Sequence, residues 1–392
     1  MLELLITNIG TLATPEGKTA RRGPEQGKIK SIQNAAVGIK DGLVAYVGPV
    51  AKAPAAKEVL DIGGRLVTPG LVDPHTHLVF GGWRHEEPDG GIFPTVKSTR
   101  TMPETELVKR ALEFASEQLS FGVTTSEVKS GYGLDTDSEI KQLRVIRAVN
   151  ERTPIDLVPT FLGAHALPME YQANRAEYVR ILIEEMLPRV NEEKLAALCD
   201  IVCDTGAFTA EEAREILTAA KDMGFKLKAH VDELGCEGGA QVAALLGAVS
   251  ADQLIASDKA AINALARREV VGVLLPTVSF YLDRPYAKAR DMLNAGMGIA
   301  IGSDFNPLFS PSLNLPFAMT LASLKYGLSP EETLTAVTLN AAAAVGRAEC
   351  IGSLEVGKKA DLVIWETDAL GYLCYRFGSN LVHTVMKDGA LV

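Results

Sequence analysis

Two histidines separated by one residue, His75 and His77, end an apolar stretch that begins with Pro69-Gly70. Alternate side chains of a strand point to the same face, so we expect both imidazoles on one side, about 7 Å apart. Two imidazoles that share a face at a strand end are suited to bind one metal ion. A hydrogen-bonded pair of histidines beside a turn is the alternative, but further residues of ligand type occur later in the chain and favour the metal site.

Polar residues follow several later apolar stretches, at positions where parallel strands are expected to end. They are His165, His230, Glu233, Gln253 and Asp304. Because a β/α barrel carries its reacting groups at the C-terminal ends of its strands, these side chains should meet at one mouth of the barrel. Three imidazoles and one carboxylate suit Zn²⁺, with iron or manganese as the alternatives. The predicted metal ligands are His75, His77, His230 and Asp304.

Such an ion would lower the pKa of a bound water to about 7 and so supply hydroxide at neutral pH. Glu233 lies three residues after His230 and is one candidate for the general base. Asp304 is the other candidate, and Gln253 completes the predicted catalytic set. Two of these residues also have purely structural interpretations, since His230 could be a buried core histidine and Asp304 could cap a helix. The His-x-His pair upstream favours the metal interpretation for both.

The elements that position these residues can be predicted from hydrophobic patterning. From residue 71 onward, apolar stretches alternate with amphipathic ones, which indicates parallel strands joined by helices. We count eight strands, at residues 71–78, 123–128, 155–162, 200–203, 226–231, 248–251, 270–275 and 298–302. Eight such units fit a closed (β/α)8 barrel of the TIM type better than an open doubly wound sheet. Capping boxes that begin at Thr101, Thr209 and Ser329 predict three of the helix starts.

Both ends of the chain have the character of β structure. Asp41-Gly42 and Asp388-Gly389 are dipeptides typical of tight hairpin turns, and residues 352–365 also have the pattern of a hairpin. We therefore predict an α/β protein in which residues 1–68 and 349–392 form one small β-sandwich domain. A metal-dependent hydrolase barrel over residues 69–348 interrupts that domain.

Composition limits the class of protein and its partners. A chain of 392 residues with 47% hydrophobic and 22% charged residues is ordinary for a globular enzyme. The net charge of -10 argues against nucleic acid or an anionic membrane as partner but says little about the substrate, for which we expect a small molecule. Five cysteines without a CxxC pair, and no signal-like N-terminus, predict a cytoplasmic protein with reduced thiols. A homodimer is the common default for such an enzyme.

Several motifs resemble the amidohydrolase superfamily and, within it, the imidazolonepropionase family. They include Pro-Gly-Leu-Val-Asp-Pro-His-Thr-His at the start of the barrel and Gly-x-Leu-x-x-Gly-Lys-x-Ala-Asp-Leu near the C-terminus. The similar stretches are residues 69–84, 91–100, 129–134, 230–233, 246–252, 304–307 and 352–362. They are long, and they are spread over nearly the whole chain.

The resemblance implies hydrolysis of a C–N bond in the ring of 4-imidazolone-5-propionate, which gives N-formimino-glutamate in histidine degradation. It implies that Arg84 holds the propionate carboxylate, as a guanidinium fork can. Tyr132, His165 and Asn306 would line the ring site, and Glu233 would activate water. Many binuclear members of the superfamily carry a lysine on strand four, whereas residues 200–204 contain none, so we expect one metal ion per chain.

Two features depart from the family pattern. Gln253 stands where the family has a histidine, and glutamine can donate a hydrogen bond but cannot shuttle a proton. A helix-sized stretch that follows Arg84 in the family is replaced by the short segment 85–90. Two alternatives therefore stay open. One is an amidohydrolase or deaminase that acts on a different small nitrogen heterocycle, and the other is a non-catalytic barrel that binds a metal or ligand.

Overall fold

Five strands precede the barrel in the computed structural model, which describes residues 1–86 and 89–392. They are β1 (Leu2–Thr14), β2 (Lys30–Lys40), β3 (Leu43–Pro49), β4 (Ala56–Asp61) and β5 (Leu66–Pro69). Asp41 and Gly42 form the tight turn that connects β2 to β3. Their φ angles are positive, 54° and 72°, as the predicted hairpin requires. Short 3-10 turns lie at Gly23–Gly27 and Val50–Lys52.

The next eight strands form a parallel sheet in which each strand pairs with its neighbour along the chain. They are β6 (Leu71–Asp73), β7 (Val123–Lys129), β8 (Asp156–Ala164), β9 (Leu198–Cys203), β10 (Lys226–Val231), β11 (Ser250–Gln253), β12 (Val271–Leu274) and β13 (Ile299–Ile301). A parallel bridge between Thr76 and Phe305 joins the segment after β6 to the segment after β13, so the sheet nearly closes on itself. All eight predicted strands are present, and the (β/α)8 barrel is confirmed.

Helices cover the outside of the barrel and connect its strands. The first seven are α1 (Phe93–Thr101), α2 (Glu104–Ser120), α3 (Thr136–Asn150), α4 (Arg175–Ile181), α5 (Leu187–Glu192), α6 (Ala210–Asp222) and α7 (Gly239–Leu246). The others are α8 (Lys259–Arg267), α9 (Pro276–Tyr281), α10 (Ala289–Asn294), α11 (Leu315–Tyr326), α12 (Pro330–Ala336), α13 (Leu339–Ala344) and α14 (Leu370–Tyr375). A 3-10 turn at Met169–Tyr171 precedes α4, and a π-helical turn at Leu182–Met186 joins α4 to α5.

Two of the three predicted capping boxes are confirmed. The hydroxyls of Thr209 and Ser329 each accept a hydrogen bond from the backbone amide of the glutamate three residues later. The side chain of that glutamate accepts one in return from the backbone amide of the capping residue. The box predicted at Thr101 is wrong because Thr101 is the last residue of α1, and its hydroxyl donates to the carbonyl of Lys97 at 3.1 Å. Pro103 stands at the N-cap of α2 instead, without a side-chain hydrogen bond.

The remaining strands complete the sheet begun at the N-terminus. They are β14 (Leu362–Trp365), β15 (Val382–Lys387) and β16 (Ala390–Leu391). Strand β14 runs antiparallel to β5, so the two ends of the chain share one connected eight-stranded sheet, separate from the barrel. Only β14 forms within residues 352–365, so the hairpin predicted there is wrong. The domain limits at 1–68 with 349–392 and at 69–348 stay a prediction.

The described residues include no helix that combines the length and apolar character needed to span a lipid bilayer.

Candidate active site

The His-x-His segment lies just beyond strand β6 rather than on it, because β6 ends at Asp73 and Pro74 has no N–H to continue the ladder. Backbone hydrogen bonds to the segment after β13 fix its course. The amide of Asp304 donates to the carbonyl of His75 at 3.0 Å, and the amide of His77 donates to that of Phe305 at 2.8 Å. The first and last strands of the barrel thereby bring both histidines and Asp304 to one point.

Three of the predicted ligands form a compact cluster there. His75, His77 and Asp304 each offer one ligand atom, and these atoms lie within 4.8 Å of one another. Oδ1 of Asp304 is 3.5 Å from Nε2 of His75 and 3.7 Å from Nε2 of His77. All three side chains are buried. Burial raises the pKa of Asp304 to about 7, against the charge of His230.

The protonation of His75 can be deduced from its partners. Its Nδ1 lies 2.6 Å from Oδ2 of Asp252, so the imidazole donates there and carries its proton on Nδ1. Nε2 is then left with a lone pair, and it is buried without a hydrogen-bond partner in the described part of the chain. An unsatisfied imidazole nitrogen that faces a second imidazole and a carboxylate is a donor set that fits a metal ion.

The fourth predicted ligand, His230, adjoins the cluster but is directed elsewhere. Its ring centroid is 5.3 Å from that of His75, while its Nε2 lies 3.5 Å from Oε2 of Glu233. Burial lowers the pKa of His230, but the hydrogen bond with Glu233 outweighs it and raises that pKa to about 9. The same contact outweighs burial at Glu233 and lowers the pKa of its carboxyl. A ligand role for His230 therefore requires that its imidazolium release a proton.

A cavity of about 130 Å³ opens over the cluster. Residues from several barrel strands and from the loops that follow them line it. The site residues among them are His77, Tyr132, His165, His230, Glu233, Gln253, Asp304 and Asn306. Apolar side chains, among them Ile92 and Phe309, complete the wall. The structure thus brings together eight of the predicted site residues at the cavity and places His75 directly beneath it.

Arg84, like His75, is a predicted site residue that does not line this cavity. Its buried guanidinium donates to the carbonyl of Gly91 at 2.8 Å and to the carbonyl of Asp89. Its Nη1 also lies 3.5 Å from Oγ1 of Thr95, which does line the cavity. Two carbonyls that follow Arg84 in the chain therefore contact its guanidinium, and Glu87 and Pro88 of the predicted short segment lie outside the described residues.

Tyr132, His165 and Asn306 form the side of the cavity next to His77. The rings of His165 and His77 are stacked with centroids 5.3 Å apart, and the Tyr132 ring lies 5.4 Å from that of His77. The Asn306 amide donates to the carbonyl of Asp304 at 2.7 Å, and its oxygen accepts from the amides of Leu308 and Phe309. Burial lowers the pKa of His165 to about 4, so this imidazole is neutral at physiological pH.

Gln253 lies at the end of β11 in a strained conformation. Its φ of 79° is in the left-handed region that a non-glycine residue seldom adopts. The side chain is buried, lines the cavity, and has an amide oxygen without a partner among the described residues. The fold thus holds the polar side chain of Gln253 at the cavity wall despite an unfavourable backbone conformation.

Sequence reasoning missed residues that hold Glu233 in place. Arg284 donates from Nη1 to Oε1 of Glu233 at 2.8 Å. Asp204 accepts from the backbone amides of Glu233, Leu234 and Gly235 at 2.5, 3.2 and 3.0 Å. Arg284 is 51 residues from Glu233 and follows no strand end, so neither spacing nor strand position indicates it. Asp204 follows β9 directly, a position that does mark it as a candidate.

Comparison with known proteins agrees with this geometry. The amidohydrolase family model matches residues 66–392, which include the barrel and the C-terminal strands. The chain belongs to the amidohydrolase family. Curated relatives in this family include an imidazolonepropionase of Thermoanaerobacter pseudethanolicus, 44% identical over 98% of this chain and 97% of the relative. Another is an imidazolonepropionase of Bacillus cytotoxicus, 43% identical over 100% of this chain and 97% of the relative.

Solved structures with the same fold are more distant in sequence. An adenosine deaminase from Xanthomonas campestris with bound zinc superposes with a TM-score of 0.76 at 21% identity, covering 100% of this chain and 92% of that one. An atrazine chlorohydrolase variant from Arthrobacter aurescens, complexed with zinc and atraton, gives a TM-score of 0.79 at 16% identity over 99% and 94%. At these identities the likeness shows the barrel fold alone.

Proposed function

We propose that the protein hydrolyses 4-imidazolone-5-propionate to N-formimino-glutamate in histidine degradation. In this reaction the oxygen of one water adds to the ring carbonyl carbon, the adjacent ring C–N bond breaks, and the ring nitrogen takes up a proton. The observation that carries the proposal is the identity of 42–44% to imidazolonepropionases over nearly the full chain. The buried histidine and carboxylate cluster at the cavity floor provides the chemistry that such a hydrolysis needs.

The metal ligands in this proposal are His75, His77, His230 and Asp304. When bound, a Zn²⁺ or iron ion would supply Lewis-acid chemistry, making water a stronger acid and polarising a carbonyl oxygen. One ion per chain is proposed, because residues 200–204 contain no lysine, the residue that many binuclear members of the superfamily carry on strand four.

Glu233 acts as the general base that accepts a proton from the attacking water. Its carboxylate lines the cavity, one oxygen is held by Arg284, and the lowered pKa keeps it ionised at neutral pH. Asp304 is the alternative base, but its Oδ1 lies between the two imidazoles of the cluster, a position suited to a ligand. Glu233 can then pass the proton to the ring nitrogen as the C–N bond breaks.

The substrate is held by Arg84, Tyr132, His165 and Asn306 in this proposal. The propionate carboxylate would meet the guanidinium of Arg84 beside Thr95, and the imidazolone ring would lie against Tyr132 and His165. Gln253 donates its amide N–H to the ring carbonyl oxygen and so stabilises the charge that develops there. A proton need not pass through this glutamine, because Glu233 performs the transfer.

A second candidate function is hydrolysis or deamination of a different small nitrogen heterocycle by the same residues. The observation in its favour is the buried amide of Gln253 at the cavity wall, where a ring of other polarity could be bound. Turnover of hydantoins or amino-heterocycles, with none of 4-imidazolone-5-propionate, would select this candidate. We further propose that the enzyme is cytoplasmic and a homodimer.

The proposal is tested by metal analysis and by turnover of 4-imidazolone-5-propionate, followed through loss of its ultraviolet absorbance. Glu233→Gln should lower kcat by about 10²–10⁴-fold with unchanged metal content. His230→Ala should lose both metal and activity. His383→Asn is the matched control, because His383 contacts Glu366 in the terminal sheet and should leave both unchanged. Full turnover by protein stripped with a chelator would overturn the metal-dependent mechanism.

A further inference from the structure

Five ionisable side chains fill the interior of the barrel beneath the cluster, and the mechanism above uses none of them. They are Glu127, Lys129, Asp200, Lys228 and Asp252, each at most 1% exposed. They come from four strands on one side of the barrel, β7, β9, β10 and β11, with β8 between the first two. Burying charges is costly unless each is paired and hydrogen-bonded, so a network of this size in a barrel core needs a reason.

The two lysines connect the three carboxylates. Lys129 Nζ lies 2.7 Å from Asp200, 2.9 Å from Glu127 and 3.6 Å from Asp252. Lys228 Nζ lies 3.1 Å from Glu127 and 3.3 Å from Asp252, and it donates to the carbonyl of Pro74 at 3.2 Å. Both ammonium groups therefore reach Asp252, and Lys228 also anchors the backbone directly before His75.

Asp252 is the member of the network that contacts the proposed metal site. Its Oδ1 accepts from the hydroxyl of Ser250 at 2.6 Å, and its Oδ2 accepts from Nδ1 of His75 at 2.6 Å. Two ammonium groups lie beside Oδ2 and favour the ionised carboxylate. An ionised carboxylate can only accept hydrogen bonds. The proton between Asp252 and His75 must then reside on the imidazole, which leaves Nε2 free to bind a cation.

We propose that Lys228 and Lys129 are positioning residues that hold Asp252 as the anionic acceptor for His75 and thereby set the metal affinity of the site. The inference rests on the metal site proposed above. His75, Glu127 and Asp252 themselves form a second group with ligand-type spacing. The two ammonium groups contact the carboxylate oxygens of that group, so the lysines supply the positive charge that a second cation would otherwise bring.

The test is the metal dissociation constant, measured by competition between the folded protein and a chromophoric chelator. Lys228→Met keeps most of the side-chain volume and removes the charge, and we expect Zn²⁺ binding to weaken by about 10–100-fold, as for other outer partners of metal-binding histidines. Lys358→Met is the matched control. Lys358 is also buried, but it donates to the carbonyls of Gly17, Ala348 and Ile351, so its loss should lower stability and leave metal affinity unchanged.

Two further measurements keep the inference testable if Lys228→Met does not fold. Asp252→Asn retains an acceptor for His75 but loses the charge, and it should also weaken Zn²⁺ binding. In the metal-free wild-type protein, ¹⁵N spectra assigned with His75→Gln should show the His75 proton on Nδ1. Wild-type metal affinity in either folded variant, or a proton on Nε2, would overturn the inference. Failure of the wild-type protein to bind any metal would instead overturn the proposed function.

Discussion

Arg284 donates to Oε1 of Glu233 at 2.8 Å, so this ion pair fixes the carboxylate whose other oxygen faces His230. The pair joins the loop after β10 to the segment that follows α9. Glu233 is largely buried, whereas Arg284 is 38% exposed at the edge of the site. The orientation of the base thus depends in part on a side chain that does not itself line the cavity.

Arg284→Met should lower kcat by about tenfold, because a carboxylate that is free to rotate spends less time in the reactive geometry. The KM and the metal content should stay near their wild-type values. Steady-state kinetics with metal analysis measures all three. Arg290→Met removes a comparable ion pair, with Glu332, away from the site, and it should leave kcat unchanged. Equal kcat values for Arg284→Met and the wild type would show that Glu233 is held by other contacts.

Asp204→Asn should lower both stability and kcat. The Asp204 carboxylate accepts three consecutive backbone amides, and an asparagine leaves at least one of them unpaired at a cost of about 1–3 kcal/mol. Urea unfolding and steady-state kinetics measure the two effects. Asp258→Asn is the control, because Asp258 caps α8 through the amide of Ala261 and should affect stability alone. A loss of activity no greater than that of the control would contradict the positioning role.

His165 should make the protein less stable as pH falls. Its folded-state pKa of about 4 lies below the unfolded value of about 6.5, so the unfolded chain binds more protons between these values. Stability is then complete above about pH 6.5 and is lost as pH falls towards 4. Because His165 is only half-buried, we expect about 1–3 kcal/mol from this residue. Urea unfolding at pH 7 and pH 4.5 should show a smaller loss for His165→Gln than for the wild type.

Gln253→Leu should lower kcat by roughly 10²-fold, the usual cost of removing one hydrogen-bond donor from a developing oxyanion. Gln253→His restores a donor and should recover part of the loss. Steady-state kinetics on 4-imidazolone-5-propionate measures the effect. An unchanged kcat for Gln253→Leu would mean that the amide makes no contact in the transition state, which would favour a different heterocycle as substrate.

Hydrophobic patterning was sufficient to predict the eight barrel strands and the two hairpin turns at Asp41-Gly42 and Asp388-Gly389. These features depend on local periodicity and on backbone angles that glycine and aspartate adopt easily. The ligand-type residues were predicted because barrel topology brings strand ends together. The predicted first strand was too long, because Pro74 ends β6 before the His-x-His pair. This proline is visible in the sequence and could have indicated the strand end.

The network of Lys129 and Lys228 could not be predicted in the same way. Both lysines lie within strands, where a charged side chain is expected to face solvent rather than the interior of a barrel. Their partners are set by the register between strands, such as Lys228 opposite Ser250, which local patterning does not specify. Arg284 was missed for a similar reason, since its partner is determined by loop geometry alone.

The pairing of β14 with β5 has a consequence for biosynthesis. Leu362 lies opposite Pro69, and the amide of Gly70 donates to the carbonyl of Asp361 at 2.9 Å, immediately before the strand that leads to His75. On the ribosome, the segment that carries His75 therefore remains unsecured on this side until nearly the entire polypeptide has emerged. A chain that lacks β14 should accordingly hold the start of the barrel less firmly than the full-length chain does.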